Sequence, residues 1–280
     1  MPQLIEYVSK SKTGFEKDME DTYCVTDNYA AVIDGATNVS GQLIDGKTPG
    51  QHAAQLIKQT IESLQGPETI EDIITKINDS YALFYRDYQL TEVIKTKPFL
   101  RPSATMALYS AYTRKIWLIG DCQCYVNGQH YQHGKEVDAI TSQARRLLVE
   151  AELAKGKLVA DIIASDTSFE MIKPLIQAQY AFTNQPPSHP FSYEVINGEL
   201  LYVDSFQVID VPAGITSLAL ASDGYPQIFA TLKETESHLE HVLQRDPLCI
   251  HDNVSVRGVT NGKISYDDRT YINIRIESGS

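Results

Sequence analysis

Acidic side chains at the ends of apolar runs are the residues in this chain best suited to chemistry. Met19-Glu20-Asp21 comes first, then Ala31-Val32-Ile33-Asp34-Gly35, Leu118-Ile119-Gly120-Asp121 and Leu220-Ala221-Ser222-Asp223-Gly224. A further group, Asp267-Asp268-Arg269-Thr270, opens the last apolar stretch. Gathering carboxylates costs free energy unless positive charge neutralises them. Oxygen ligands with few His or Cys suit hard cations such as Mg²⁺ or Mn²⁺. Two such ions roughly 3.5–4 Å apart can activate water near neutral pH and clamp the oxygens of a phosphoryl group. Asp at a strand tip suits this task because the sheet fixes its direction. Gly after it lets a carbonyl or an ion approach without a Cβ in the way. Taken singly, Asp34-Gly35 and Asp223-Gly224 each read as a turn after a strand. Their joint occurrence with the other acidic groups points to a carboxylate cage built by strands distant in sequence.

The elements that must position these residues are legible from periodicity. Tyr23 to Ile33 reads as a strand or a hairpin, with Asp27-Asn28 as a turn signal and Ala30 to Ile33 a buried strand. Ala53, Leu56, Ile57, Ile61 and Leu64 recur at helical spacing, with Thr48 as N-cap and Pro49 at the first helical position. A second helix spans about Glu71 to Tyr88. Ala104 to Tyr112, Lys115 to Ile119, Gln123 to Val126 and Gln129 to Tyr131 form a meander, with Asn127-Gly128 a strong hairpin turn. Helical patterning returns at Ser142 to Ala154 and Ser168 to Gln179. Strands are expected at Ser192–Ile196, Leu200–Val203, Gln207–Val211 and Thr216–Ala221, and helices near Gln227–Leu232 and Glu234–Gln244. The final strand carries Ile272, Ile274 and Ile276 against Tyr271, Asn273 and Arg275. Helices between blocks of antiparallel strands argue an α+β fold. Two face-to-face sheets with helix pairs outside accommodate everything in one domain, residues 1–280.

The bulk numbers exclude several classes of function. With 36 acidic and 24 basic side chains, the formal charge is −12, which argues against nucleic acid as the main partner. No apolar run reaches membrane-spanning length, so no membrane partner is expected. Met1 to Glu6 lacks the basic start and apolar core of a signal peptide, and a cytoplasmic location is expected. Cys24, Cys122, Cys124 and Cys249 fit neither a disulfide framework nor a zinc site. Cys122-Gln123-Cys124 places two thiols on one strand face, read as reduced, half-buried strand residues, with metal or redox use the alternative. The seven histidines form no His-x-x-x-His pair.

In order, Met-Glu-Asp, Val-Ile-Asp-Gly, Ser-Ala-Thr before a strand, Gly-Asp, Ala-Ser-Asp-Gly and Asp-Asp-x-Thr before the final strand resemble the metal-dependent serine/threonine protein phosphatases of type 2C. The resemblance runs from about Gly14 to Ile276. It implies a four-layer α-β-β-α sandwich with a dinuclear Mg²⁺/Mn²⁺ site at one end of the sheets. Carried over, Asp34 bridges both ions and Gly35 offers its carbonyl. Asp223 and Asp267 hold the first ion, and Glu20 and Asp21 lie near the second. Asp121 matches the position of a third, weaker ion. Ser103 and Thr105 match a structural motif beneath the site, and residues 142–193 lie where the family has a variable flap. The implied activity is phosphomonoester hydrolysis on phosphoserine or phosphothreonine in proteins, a signalling role. The implied partners are a phosphoprotein substrate and an opposing Ser/Thr kinase.

The chain departs from that pattern in three places. Ala36-Thr37 stands where many members have His after Asp-Gly, a proposed general acid, so the leaving oxygen must take its proton from water or another group. Glu16 stands where many carry a phosphate-binding Arg; Lys12 and Lys17 are the substitutes nearest in sequence. Gln227 stands where an Asp often supports the third ion. These losses motivate an alternative, a catalytically weak or inactive sensor or binding module of the same fold. Asp252-Asn253-Val254-Ser255 is a second match for the last ligand, but Asp267 leads directly into the longer strand. A different class is suggested by Gly41-Gln-Leu-Ile-Asp-Gly46-Lys47-Thr48, which fits the phosphate loop of nucleotide hydrolases. That loop should spring straight from a buried strand into a parallel βαβ unit, and neither is visible here.

Overall fold

Strand-period alternation gives most strands two apolar faces, and the molecule covers both. The computed structural model describes residues 1–278. It opens with β1 (Gln3–Lys10) and the hairpin β2 (Thr22–Val25) and β3 (Tyr29–Gly35). Helices α1 (Pro49–Ser63), α2 (Ile70–Asp87) and α3 (Thr91–Thr96) follow, then β4 (Ala104–Ser110), β5 (Lys115–Ile119), β6 (Gln123–Val126) and β7 (Gln129–Gln132). Next come α4 (Glu136–Ala154), α5 (Val159–Ala164) and α6 (Ser168–Gln179), and finally β8 (Gln207–Asp210), β9 (Ser217–Ala221), α7 (Leu232–Arg245) and β10 (Arg269–Arg275). The strands form two five-stranded antiparallel sheets, ordered β1-β10-β9-β6-β7 and β2-β3-β4-β5-β8. The fold is α+β.

The layers follow from which residues each face buries. Ala30, Val32, Ala107 and Leu118 of one sheet meet Cys124, Leu220, Ile272 and Ile274 of the other, forming a core between the sheets. The opposite face of the β2-β3-β4-β5-β8 sheet, through Ala31, Ile33, Met106 and Leu108, packs on Ile57 and Ile61 of α1 and Ile73 and Ile77 of α2. Tyr271 and Ala221 of the β1-β10-β9-β6-β7 sheet pack outward on Leu239 of α7. Cys122 and Cys124 are free thiols in the between-sheet core. Among the described residues no helix is long and apolar enough to cross a membrane.

Several expected elements differ. Residues 192–196 and 200–203 form no strand: Tyr193 and Ile196 make single bridges to Thr183 and Ala104, and Val203 opens a short 3-10 helix. Their backbone is satisfied elsewhere, with the Tyr81 hydroxyl donating to the Ile196 carbonyl (3.0 Å) and the Tyr85 hydroxyl to the Asn197 carbonyl (2.5 Å). No helix forms at 227–231. There the Phe229 amide donates to Thr235 Oγ1 and the Ala230 carbonyl accepts from Asn273, so the backbone is spent on tertiary bonds. Helix α7 starts only after the Thr231 cap. Helix α4 begins at Glu136, ahead of the expected Ser142. Strand β1 was not expected, because its residues are mostly exposed and carry little alternation. The Gly41–Thr48 stretch is a tight turn in which Ile44 and Lys47 exchange backbone hydrogen bonds of 2.8 and 3.0 Å. Every pairing within the two sheets is antiparallel, so the nucleotide-hydrolase reading is set aside.

Thr48 links this framework to the acidic groups. Its Oγ1 accepts the Gln51 amide while the Gln51 side chain accepts the Thr48 amide, a reciprocal cap on α1. The same hydroxyl donates to Glu20 Oε1 at 2.6 Å. Thr48→Ala is expected to lower unfolding free energy by about 1 kcal/mol or more, and Thr48→Ser to retain most of it. Urea denaturation measures both, and an unchanged alanine variant would remove this role.

Candidate active site

The acidic groups meet where the ends of the two sheets come together. Asp34 ends β3 and lies in register with Thr105 of β4. Asp121 sits in the turn that carries the chain from β5 in one sheet to β6 in the other. Gly120 before it has φ +81°, and a Cβ there would collide with Thr105. Asp223 follows β9, and Asp267 precedes β10. The Asp223 amide donates to Asp34 Oδ2 at 3.4 Å, a contact that spans the two sheets. Asp34, Asp121, Asp223 and Asp267 border one cavity of about 390 Å³. Gly224 is obligatory, since a Cβ would run into the Asp268 carbonyl oxygen. A Cβ on Gly35 would meet the carbonyl oxygens of Glu20 and Gly50.

Charge is distributed unevenly among these carboxylates. Burial, then the charges of Asp21, Asp121 and Asp267, pushes Asp34 well above the usual carboxylate range. Burial and Asp34 do the same to Asp223. Asp21 is raised by burial and by Asp268, and its Oδ2 has no hydrogen-bond partner. On the other side burial also opposes ionisation of Asp267, but Lys12 and then Arg257 outweigh it and hold that carboxyl below its ordinary value. Burial raises Glu20, against the pull of Lys12 and the Thr48 hydroxyl.

These features test the fit of a hard cation. Among the described residues no group of three or more His, Cys, Asp or Glu is already drawn together as a metal cage. Yet an orphaned buried carboxylate oxygen on Asp21, and oxygen donors on Asp34 and Asp223 whose ionisation burial and neighbouring carboxylates oppose, are what a divalent cation would relieve. The donor chemistry fits Mg²⁺ or Mn²⁺ there.

The remaining expected residues fall differently. Lys12, a candidate for phosphate, is committed to carboxylates: its Nζ lies 3.0 Å from Asp267, 3.4 Å from Asp268 and 3.5 Å from Glu20. Lys17 does not border the cavity; its Nζ sits 6.0 Å from the Phe15 ring centre. Asp121 is paired with Lys135 at 2.6 Å, so a lysine already supplies its counter-charge. Asp252 is 3.4 Å from Arg245 and away from the cavity, whereas Asp267 borders it. The Ser103 carbonyl accepts the Ala36 amide at 2.9 Å, beneath the Asp34 turn.

Two cations were not expected from sequence. Arg257 borders the cavity, stacks 4.2 Å over the Phe169 ring and donates to Thr37 Oγ1 at 2.7 Å. Its segment, residues 252–257, was noticed only for Asp252. Lys135 precedes α4, and no periodic signal marks it. Arg145 of α4 anchors this wall: wholly buried, it donates to the Leu248 and Ser255 carbonyls at 2.8 and 3.2 Å and pairs with Asp166 at 2.9 Å. The 142–193 segment thus lies against the cavity through Phe169, Gln179 and Tyr193.

The chain is similar in fold to serine/threonine phosphatases. It shares 15% identity and a TM-score of 0.45 with the Mycobacterium tuberculosis serine/threonine phosphatase PstP/Ppp, over 98% of this chain and 100% of that one. With Stp1 from Staphylococcus aureus the values are 14% and 0.48, over 98% and 96%. With RsbX, solved in complex with magnesium, they are 13% and 0.43, over 99% and 100%. No protein-family model and no curated protein matches the sequence.

The raised carboxyls set a pH dependence. A carboxyl whose pKa rises on folding contributes stability that is full below its unfolded value, about 4, and is lost as pH climbs through its folded value. Asp34 and Asp223 belong to this class, whereas Asp267, held low, loses its contribution only on acidification. In metal-stripped protein, Asp34→Asn, which mimics the protonated form, is expected to gain stability over wild type as pH rises from 5 to 8. Thermal melts across that range test it; a difference independent of pH would contradict the assignment.

Proposed function

We infer that this protein is a divalent-cation-dependent phosphomonoesterase acting on phosphoserine or phosphothreonine in proteins. One observation carries the reading: the Asp223 amide on Asp34 Oδ2, joining the carboxylate ends of the two sheets beside a cavity with Arg257 in its wall. Asp34, Asp223 and Asp21 would hold Mg²⁺ or Mn²⁺, and Asp267 stands on the same cavity. Bound there, such a cation supplies Lewis acidity and an activated water for attack on phosphorus. The neighbouring phosphatases support this reading by their fold.

The chain's own residues have separable tasks. Arg257 is held flat by Phe169 and oriented by Thr37, which takes one of its five N–H donors. The others can bind phosphoryl oxygens, the task for which Lys12 and Lys17 are the sequence candidates with Glu16 at the usual Arg position. Phe169, Gln179 and Tyr193 shape the wall that a phosphorylated segment of a partner protein would meet. An opposing kinase would supply that substrate.

The proposal has direct tests. Asp34→Ala and Asp223→Ala are each expected to lower Mn²⁺-dependent hydrolysis of an aryl phosphate at least 100-fold; equal activity in wild type and variants would refute it. Arg257→Ala is expected to cost about 1.5–3 kcal/mol of phosphate binding, roughly ten- to hundredfold in KM, with Arg257→Lys intermediate. An unchanged KM would exclude Arg257 as the phosphate contact. The pairing of Lys12 and Lys135 with Asp267 and Asp121 favours a second reading, a binding module with little turnover. Calorimetric Mn²⁺ uptake without any hydrolysis would select it.

A further inference from the structure

We propose that Lys12 is a resident cation of the acidic cluster, and that this chain therefore takes one divalent ion, on the Asp34–Asp223 side, instead of a pair. The proposal rests on the cation-binding reading above and fixes its stoichiometry.

The backbone delivers Lys12 to this position. Lys10 pairs with Arg269 in the β1–β10 register, so two residues beyond it Lys12 arrives beside Asp267. Its amide donates to Asp268 Oδ1 at 2.9 Å, which fixes the start of the side chain. Its Nζ then lies within 3.0, 3.4 and 3.5 Å of Asp267, Asp268 and Glu20. The side chain is 12% exposed, leaving it little room to swing into solvent. Asp268 is tied as well, accepting the Glu20 amide at 2.8 Å. A divalent ion bound to Glu20 and Asp267 would have to share these oxygens with an ammonium a few ångströms away. Repulsion between them scales with the product of the charges. Arg257, 3.7 Å from Asp267 Oδ2, adds to the positive charge on that side.

The other half of the cluster has no such occupant. Among the described residues neither Asp34 nor Asp223 forms an ion pair; their shared contact is the 3.4 Å amide bond. Asp21, more than nine-tenths buried, keeps an unpartnered Oδ2 beside them. Asp121 is closed in the same way as the carboxylates around Lys12, with Lys135 on it. The structure thus divides the carboxylates into those with a built-in lysine and those without.

The stoichiometry of Mn²⁺ on the chelator-stripped full chain decides this, read by titration calorimetry and by counting bound Mn²⁺ with electron paramagnetic resonance. Wild type is expected to bind one ion and Lys12→Met two, with Lys12→Arg remaining at one; circular dichroism confirms that the variants fold. Two ions on wild type would overturn the inference while leaving the phosphatase reading intact. A folded Lys12→Met that still binds one ion would also overturn it. Wild type decides the matter alone if Lys12→Met fails to fold. No Mn²⁺ bound by any of the three would sink this inference together with the cation-dependent reading beneath it.

Discussion

Like charge crowded at the shared end of two sheets is the constraint around which this molecule is organised. Asp21, Asp34, Asp121, Asp223, Asp267 and Asp268 come from distant parts of the sequence and meet in a partly buried place, where burial and neighbouring charge oppose the ionisation of Asp21, Asp34 and Asp223. The chain answers with cations on one side and leaves the other side short of them. Lys12 faces Asp267, Asp268 and Glu20, and Lys135 faces Asp121, while the Asp34 carboxylate accepts the backbone amide of Asp223. That imbalance stores unfavourable electrostatic energy in the free protein, and binding a hard cation would release it.

The rest of the fold serves to hold that arrangement still. Strand direction aims Asp34, and the register of β10 beside β1 brings Lys12 to Asp267. Thr48 ties the cap of α1 to Glu20, so a helix start and a carboxylate share one hydroxyl. Glycines lie where backbone crosses closely, at Gly35 and Gly224. Arg145 fastens the 142–193 segment to the loop that bears Arg257, coupling the wall of the cavity to its cation. These are long-range constraints between parts that neither helix nor strand periodicity can relate.

That distinction explains what could be read from the sequence. The α+β architecture, the meander and the first two helices were legible because alternation and helical spacing are local signals with strong physical causes. Asp34 and Asp223 stood out because each caps an apolar run and precedes Gly. Strand β1 was missed because it is a largely exposed edge whose residues lack alternation. Residues 192–203 carry strand-like composition, yet tyrosines of α2 take their carbonyls. The roles of Lys12, Lys135 and Arg257 were illegible for a different reason. A lysine's counter-ion is chosen by three-dimensional proximity, so Lys12 could be suspected of meeting phosphate but not seen to meet carboxylates.

The central claim is that the free carboxylates of Asp34 and Asp223 hold a divalent cation. Anomalous diffraction at the manganese edge, on crystals of the full chain grown with Mn²⁺, tests it most directly. The account expects a manganese peak in contact with oxygens of both Asp34 and Asp223. A clear map with manganese bound elsewhere, or with none between those two side chains, would contradict it.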